Sequence, residues 1–143
     1  MPDEKERAQI VVTHLDGVRF AAQVRSHRVI VDQPRDAGGE DTGPMPIELL
    51  GTSLGTCVAF YVQQFLGARH LPYEGLRVEV EQTSARNPNR VGEFAVRVIL
   101  PAALPLGYSE MLERVVISCP AHNTLDRSAQ VRFAIQSRAS AGT

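Results

Sequence analysis

The chain holds two thiols, Cys57 and Cys119, 62 residues apart. Cys119 lies in the run SCPAHNTL, directly before a proline. Proline suits the first position of a helix, where its missing N–H removes no bond. Pro120 therefore predicts a helical turn starting there, with Cys119 as its N-cap. A sulfur so placed faces free backbone N–H groups and the positive end of the helix dipole, which favours the thiolate. His122 follows within one turn. The competing reading is a small, inert cysteine buried at a helix junction, because free cysteines rank among the most buried residue types.

Cys57 sits in the apolar run SLGTCVAF. Burial alone raises a thiol's pKa, so reactivity there requires a neighbouring cation. The run itself carries none. Arg19, Arg25 and Arg35 are the candidates from elsewhere, with Glu48, Glu40 and Asp41 as the acids that can orient a guanidinium through a paired contact. Glu48 lies nine residues before Cys57. On a regular helix that is about 13.5 Å of rise and half a turn of net rotation, so Glu48 acts through an arginine or simply complements the helix dipole. Metal binding is a weak rival, since the four histidines and two cysteines show no paired ligand spacing. A Cys–His hydrolase would need an oxyanion hole and an orienting group, neither of which is traceable.

The elements that must position these thiols read as follows. Ala8 to Thr13, Val18 to Val24 and Arg28 to Asp32 are strand-like. Gln33 to Pro46 is a long loop rich in Gly, Pro and Asp, of the kind that is functional or disordered. A helix then starts at Pro46 and stays free of charge from Leu49 to Ala68. Its polar Thr52, Ser53, Thr56, Gln63 and Gln64 argue against a membrane span. An apolar surface on most sides makes it a buried helix whose second face needs a cover, a partner subunit being the simplest. Gly51 and Gly55 form a flat strip, used either by another subunit or by the protein's own sheet. LRVEVEQTSA and GEFAVRVIL alternate as a hairpin with one wet face. GYSEMLERVVIS is an amphipathic helix with Ser109 near its start, CPAHNTLDRS a second helical turn, and AQVRFAIQS a last strand. The order β-β-β-α-β-β-α-α-β predicts a single α+β domain over residues 1–143.

Composition sets the bounds. A net charge of −1 with one lysine, Lys5, offers no footprint for nucleic acid or an anionic membrane. The charged start MPDEKERAQI is no secretory signal, and two cysteines are no disulfide scaffold, so a cytoplasmic location is expected.

The pairing of GPMPIELLGTSLGTC with CPAHNTL, preceded by VRFAAQVRSHRVIVDQPRDAGGEDTGP, resembles the OsmC/Ohr family, in its OsmC-like branch. The resemblance implies an intertwined α+β homodimer, in which antiparallel sheets from both subunits pack on long buried central helices and the active sites lie at the dimer interface. It implies reduction of organic hydroperoxides, with Cys57 as the peroxidatic thiol and Cys119 as the resolving one. Cys57 would become a sulfenic acid, and Cys119 would condense with it to a disulfide. A lipoyl-type or thioredoxin-like dithiol would then reset the enzyme, and no bound cofactor or metal is needed. The family's glutamate place is occupied by Ile47, with Glu48 one residue later. Its N-terminal arginine place is Leu15, leaving Arg35 in the loop. Local features favour Cys119 as the thiolate, whereas the resemblance makes Cys57 the attacker. The alternative of another class is a non-enzymatic dimer that binds a small apolar ligand and keeps its cysteines inert.

Overall fold

The computed structural model describes residues 7–137. The N-terminal strands β1 (Ile10–Asp16), β2 (Arg19–Val24) and β3 (His27–Val31) form an antiparallel meander in the order β1-β2-β3. Gly17 turns β1 into β2 with a φ of 48°, a conformation glycine adopts without penalty. Both faces of β1 remain exposed, with Ile10, Val11 and Val12 in water.

The loop after β3 is ordered around one acid. Asp32 is buried, and its carboxylate accepts hydrogen bonds from Gln33 N (2.8 Å), Thr42 N (3.0 Å) and Thr42 Oγ1 (2.7 Å). These donors, the Thr42 hydroxyl first, lower its pKa from 3.8 to about 2. Gly39 and Gly43 lie so close to the Gln33 and Ile30 carbonyls that a methyl group at either would clash with backbone. The expected long loop thus contains a short 3-10 turn, Arg35–Ala37, and a clamp.

Helix α1 (Pro46–Ala68) begins at the proline. It buries one stripe, Gly51, Leu54, Val58, Val62, Phe65 and Leu66, at the 3.6-residue period. By length and composition it could cross a bilayer, yet its stripe packs on the strands and helices that follow, as a core helix does. Its other side leaves Ile47, Leu50 and Phe60 exposed, so within this chain the helix is buried on one face only. The glycine strip faces the protein's own sheet: Gly51 lies against Gln82, and Gly55 has Val80 Cγ2 at 3.0 Å from where a methyl would sit.

Strands β4 (Arg77–Ala85) and β5 (Arg90–Ile99) form the expected hairpin. Val78, Phe94 and Val98 pack inward. On the wet face Glu79 bonds both Arg77 and its cross-strand partner Arg97. Helix α2 (Tyr108–Ile117) starts after Gly107, at φ 88°, with no side-chain cap; Ser109 lies inside it. Leu112 carries α2 onto the core. Helix α3 (Pro120–Asp126) follows at once.

One element differs from expectation. Residues 129–137 form no strand, and Val131, Phe133 (91 %) and Ile135 (97 %) project into water. The alternating pattern is present, but among the described residues no strand pairs with it.

Two predictions follow from this packing. Leu66→Ala empties a fully enclosed site and is expected to lower unfolding free energy by about 2–5 kcal/mol in a denaturant titration. Asp32 has a depressed folded-state pKa, so its contribution is complete above pH 3.8 and is lost as pH falls toward about 2. Asp32→Asn should flatten the melting-temperature profile in that window; an unchanged profile refutes the clamp.

Candidate functional site

The two cysteines share one hydrophobic cluster. Cys119 is fully buried among Leu54, Val58, Val62 and Leu112, and Cys57 packs half-buried against that group. The thiols are near enough for Cys57 to push the Cys119 pKa up. α1 brings Cys57 there on the stretch between Leu54 and Val58, and the α2–α3 corner brings Cys119.

The local geometry at Cys119 is the one its proline predicts. Cys119 is the N-cap of α3, with extended backbone (φ −65°, ψ 142°), and its sulfur accepts the His122 N–H at 3.3 Å. Its acidity runs the other way from expectation. Burial, the largest influence, pushes the thiol above its ordinary value of 9.0; the His122 and Ala121 N–H groups pull it down, and Cys57 pushes it up again. Net, the pKa is raised. A buried sulfur loses more by giving up water than two N–H dipoles restore, so Cys119 is a protonated thiol at neutral pH.

The charged candidates are elsewhere. Arg35 lies on the 3-10 turn with its side chain 78 % exposed, 3.7 Å from Glu40. Arg19 is held by Asp16 at the β1–β2 turn (2.6 and 3.1 Å). Arg25 sits in the β2–β3 turn at φ 52°, its carbonyl accepting from Gln23. Among the described residues no hydrogen bond or ion pair joins an arginine to either cysteine. Glu48 caps its own helix by accepting the Met45 N–H at 2.8 Å. It is a first-turn acid whose carboxylate is already engaged. Among the described residues no group of three or more His, Cys, Asp or Glu is arranged to hold a metal.

An open groove of about 990 Å³ lies between the first half of α1 and the β4–β5 hairpin. Neither cysteine lines it. Glu48, Thr52 and Thr56 face Arg86 and Arg90 across it. These two arginines were not singled out from the sequence; their only signal was the hairpin turn RNPNR. A second cavity, about 350 Å³, is walled by apolar residues including Leu54, Val58 and Phe94, with His122 and Asp126 as its polar members.

The fold has known counterparts. The family model described as OsmC-like protein matches residues 38–134, more than half of the chain. A crystal structure of an osmotic stress induced and detoxification response protein from Psychrobacter arcticus superposes with a TM-score of 0.74 at 23% identity, covering 80% of this chain and 85% of that one. An OsmC like protein from Mycoplasma pneumoniae gives 0.64 at 21%, covering 86% and 89%. An organic hydroperoxide resistance protein OsmC from Legionella pneumophila gives 0.55 at 15%, covering 82% and 88%. Among curated proteins, none matches significantly. At these identities the superpositions speak for the fold, and the family match for kinship. The chain belongs to the OsmC-like protein family.

Proposed function

We propose that the protein is a thiol-dependent peroxidase that reduces organic hydroperoxides through Cys57 and Cys119. The observation that carries this reading is the meeting of two sequence-remote thiols in one core cluster, one reachable and one sealed. Access assigns the roles. Cys57 is partly exposed and can meet a hydroperoxide; Cys119 is sealed and protonated, so it enters second. The Cys57 thiolate attacks the O–O bond, the alcohol leaves, and a sulfenic acid remains. Cys119 then displaces hydroxide from that sulfur, and a disulfide closes. An external dithiol, lipoyl-type or thioredoxin-like, restores the pair by exchange. The name of the Legionella relative, organic hydroperoxide resistance protein, points to the same chemistry. A cytoplasmic location suits thiols that must be re-reduced after each turnover.

The working unit of this reading is an intertwined homodimer. Its support is the unpaired strand-like segment 129–137, the two-sided exposure of β1, and the apolar outer face of α1 with Leu50 and Phe60. An exposed row of alternating apolar residues is a template for pairing with another chain. A second copy would also supply the guanidinium that the described residues do not bond to Cys57, with Arg19, Arg25 and Arg35 as the candidates. A binding protein with inert cysteines is the second reading, favoured by the large groove that neither thiol lines.

Thiol titration separates the readings. One equivalent of cumene hydroperoxide should remove two thiols per chain as an intramolecular disulfide. Cys57→Ser should abolish peroxide consumption, whereas Cys119→Ser should retain one turnover and accumulate a dimedone-reactive sulfenic acid. Unchanged thiols would leave the binding protein standing. For the dimer, sedimentation of the wild type should give twice the chain mass, and Phe133→Glu with Ile135→Glu should shift it toward the monomer. A wild type that sediments at one chain mass at micromolar concentration rules the dimer out.

A further inference from the structure

The groove between the first half of α1 and the β4–β5 hairpin has no part in the thiol chemistry, because neither cysteine lines it. Its volume, about 990 Å³, is that of a small-molecule site. Ile47 and Ala59 of α1 and Val78, Val80 and Val91 of the hairpin make its walls largely apolar. From Val80 to Arg86 an extended strand covers about 20 Å, so a molecule that touches both is elongated.

Hydrogen-bond donors are spread unevenly along this length. The Thr52 and Thr56 hydroxyls donate to carbonyls of their own helix at 2.9 and 2.7 Å. The Gln82 amide donates to the Ile47 carbonyl at 3.3 Å. Among the described residues, the uncommitted donors of the groove sit toward the hairpin tip, on Ser84, Arg86, Asn89 and Arg90. Arg90 is pinned there, since its Nη1 donates to the Arg86 and Pro88 carbonyls at 3.0 and 2.9 Å and leaves Nε and Nη2 to a ligand. Among the described residues neither arginine forms an ion pair. An arginine on a hairpin tip is ordinarily a solvated charge; here two of them also line an apolar groove. Glu48 is the one acid in that lining, and its carboxylate accepts the Met45 N–H. Two guanidinium charges against one carboxylate leave a single positive charge, the complement of a monoanion.

We propose that the groove binds an elongated aliphatic carboxylate. The head group lies on Arg86 and Arg90, whose planar forks match a carboxylate, and the tail runs between Ala59 and Val78 and Val80. The inference goes beyond the thiol cycle and requires neither Cys57 nor Cys119.

Calorimetric titration of the reduced protein with decanoate, below its micelle concentration, provides the test. One decanoate per chain should bind. Acetate, which lacks the tail, and methyl decanoate, which lacks the charge, should each bind at least tenfold more weakly. Arg86→Gln keeps the backbone carbonyl that Arg90 holds, so the turn is preserved; it should weaken decanoate about tenfold, the lower end for a hydrogen bond to a charged group. Glu48→Gln should tighten it, a gain that a damaged fold does not produce. Arg114→Gln, on α2 outside the groove, should leave the affinity unchanged. Equal affinity in wild type and Arg86→Gln overturns the inference, as does equal affinity for decanoate and its ester. Absence of saturable binding to a wild type that sediments as a dimer also overturns it and gives the groove to the second copy. Peroxide consumption is measured on the same samples: decanoate binding without thiol loss supports the groove and sinks the dithiol reading, and thiol loss without decanoate binding does the reverse.

Discussion

Burial of the Cys119 sulfur is the constraint on which the candidate site turns. It is the point where the α2–α3 corner locks onto α1, within the cluster that includes Leu54, Val58, Val62 and Leu112. Pro120 stops α2 and starts α3, so the backbone must bend at residue 119. A bend inside a core needs a small, weakly polar side chain, and a thiol qualifies. The same burial decides the chemistry. An N-cap position lowers a cysteine's pKa when the sulfur is wet; sealed from water, the thiol stays protonated despite two helical N–H groups. The protein thereby keeps one sulfur reachable and the other in reserve, an asymmetry that matches a two-step thiol cycle.

A second constraint shapes the approach to α1. The Asp32 carboxylate gathers Gln33 and Thr42, and the Asp32 N–H reaches the Pro44 carbonyl at 3.1 Å, so the chain leaves β3 and returns beside it before entering the helix. Gly39 and Gly43 are small because backbone carbonyls crowd the places where side chains would stand. The clamp holds the entry to α1 and leaves Arg35 on the outer rim, paired with Glu40. Order in the loop and distance from the thiols thus have one cause.

Local patterns made much of this legible before any coordinates. The Cys-Pro step placed the α3 N-cap, Pro46 placed the start of α1, and the alternation of LRVEVEQTSA and GEFAVRVIL placed the hairpin. The resemblance carried by the two cysteine motifs identified the family. What local pattern could not convey was the balance at Cys119, since desolvation depends on Leu54, Val62 and Leu112, residues remote along the chain. The glycine strip was equally ambiguous: nothing in its spacing says whether Val80 or another molecule will approach. Arg35 looked like a site residue because its loop looked open, and Asp32 did not look like the residue that closes it. The segment 129–137 carries a true strand pattern, but alternation specifies a face and not the chain that will cover it.

That last point ties assembly to chemistry. The outer face of α1 exposes Leu50 and Phe60, the N-terminal sheet exposes β1 on both sides, and the C-terminal segment presents Val131, Phe133 and Ile135. Exposed apolar patches of this kind are where interaction surfaces are found, and the proposed dimer would cover them. Cys57 lies on the same helix as the first of these surfaces, half-buried, with no arginine bonded to it among the described residues. Only a thiolate attacks a peroxide at useful rates, so a cation beside this sulfur matters to the peroxidase reading. In the peroxidase reading the missing charge and the missing cover are one deficiency, and the proposed partner that buries the outer face of α1 is also the proposed source of a guanidinium. In the peroxidase reading, activation of Cys57 is a consequence of assembly, and a chain held monomeric keeps both sulfurs in place yet leaves the first of them unactivated.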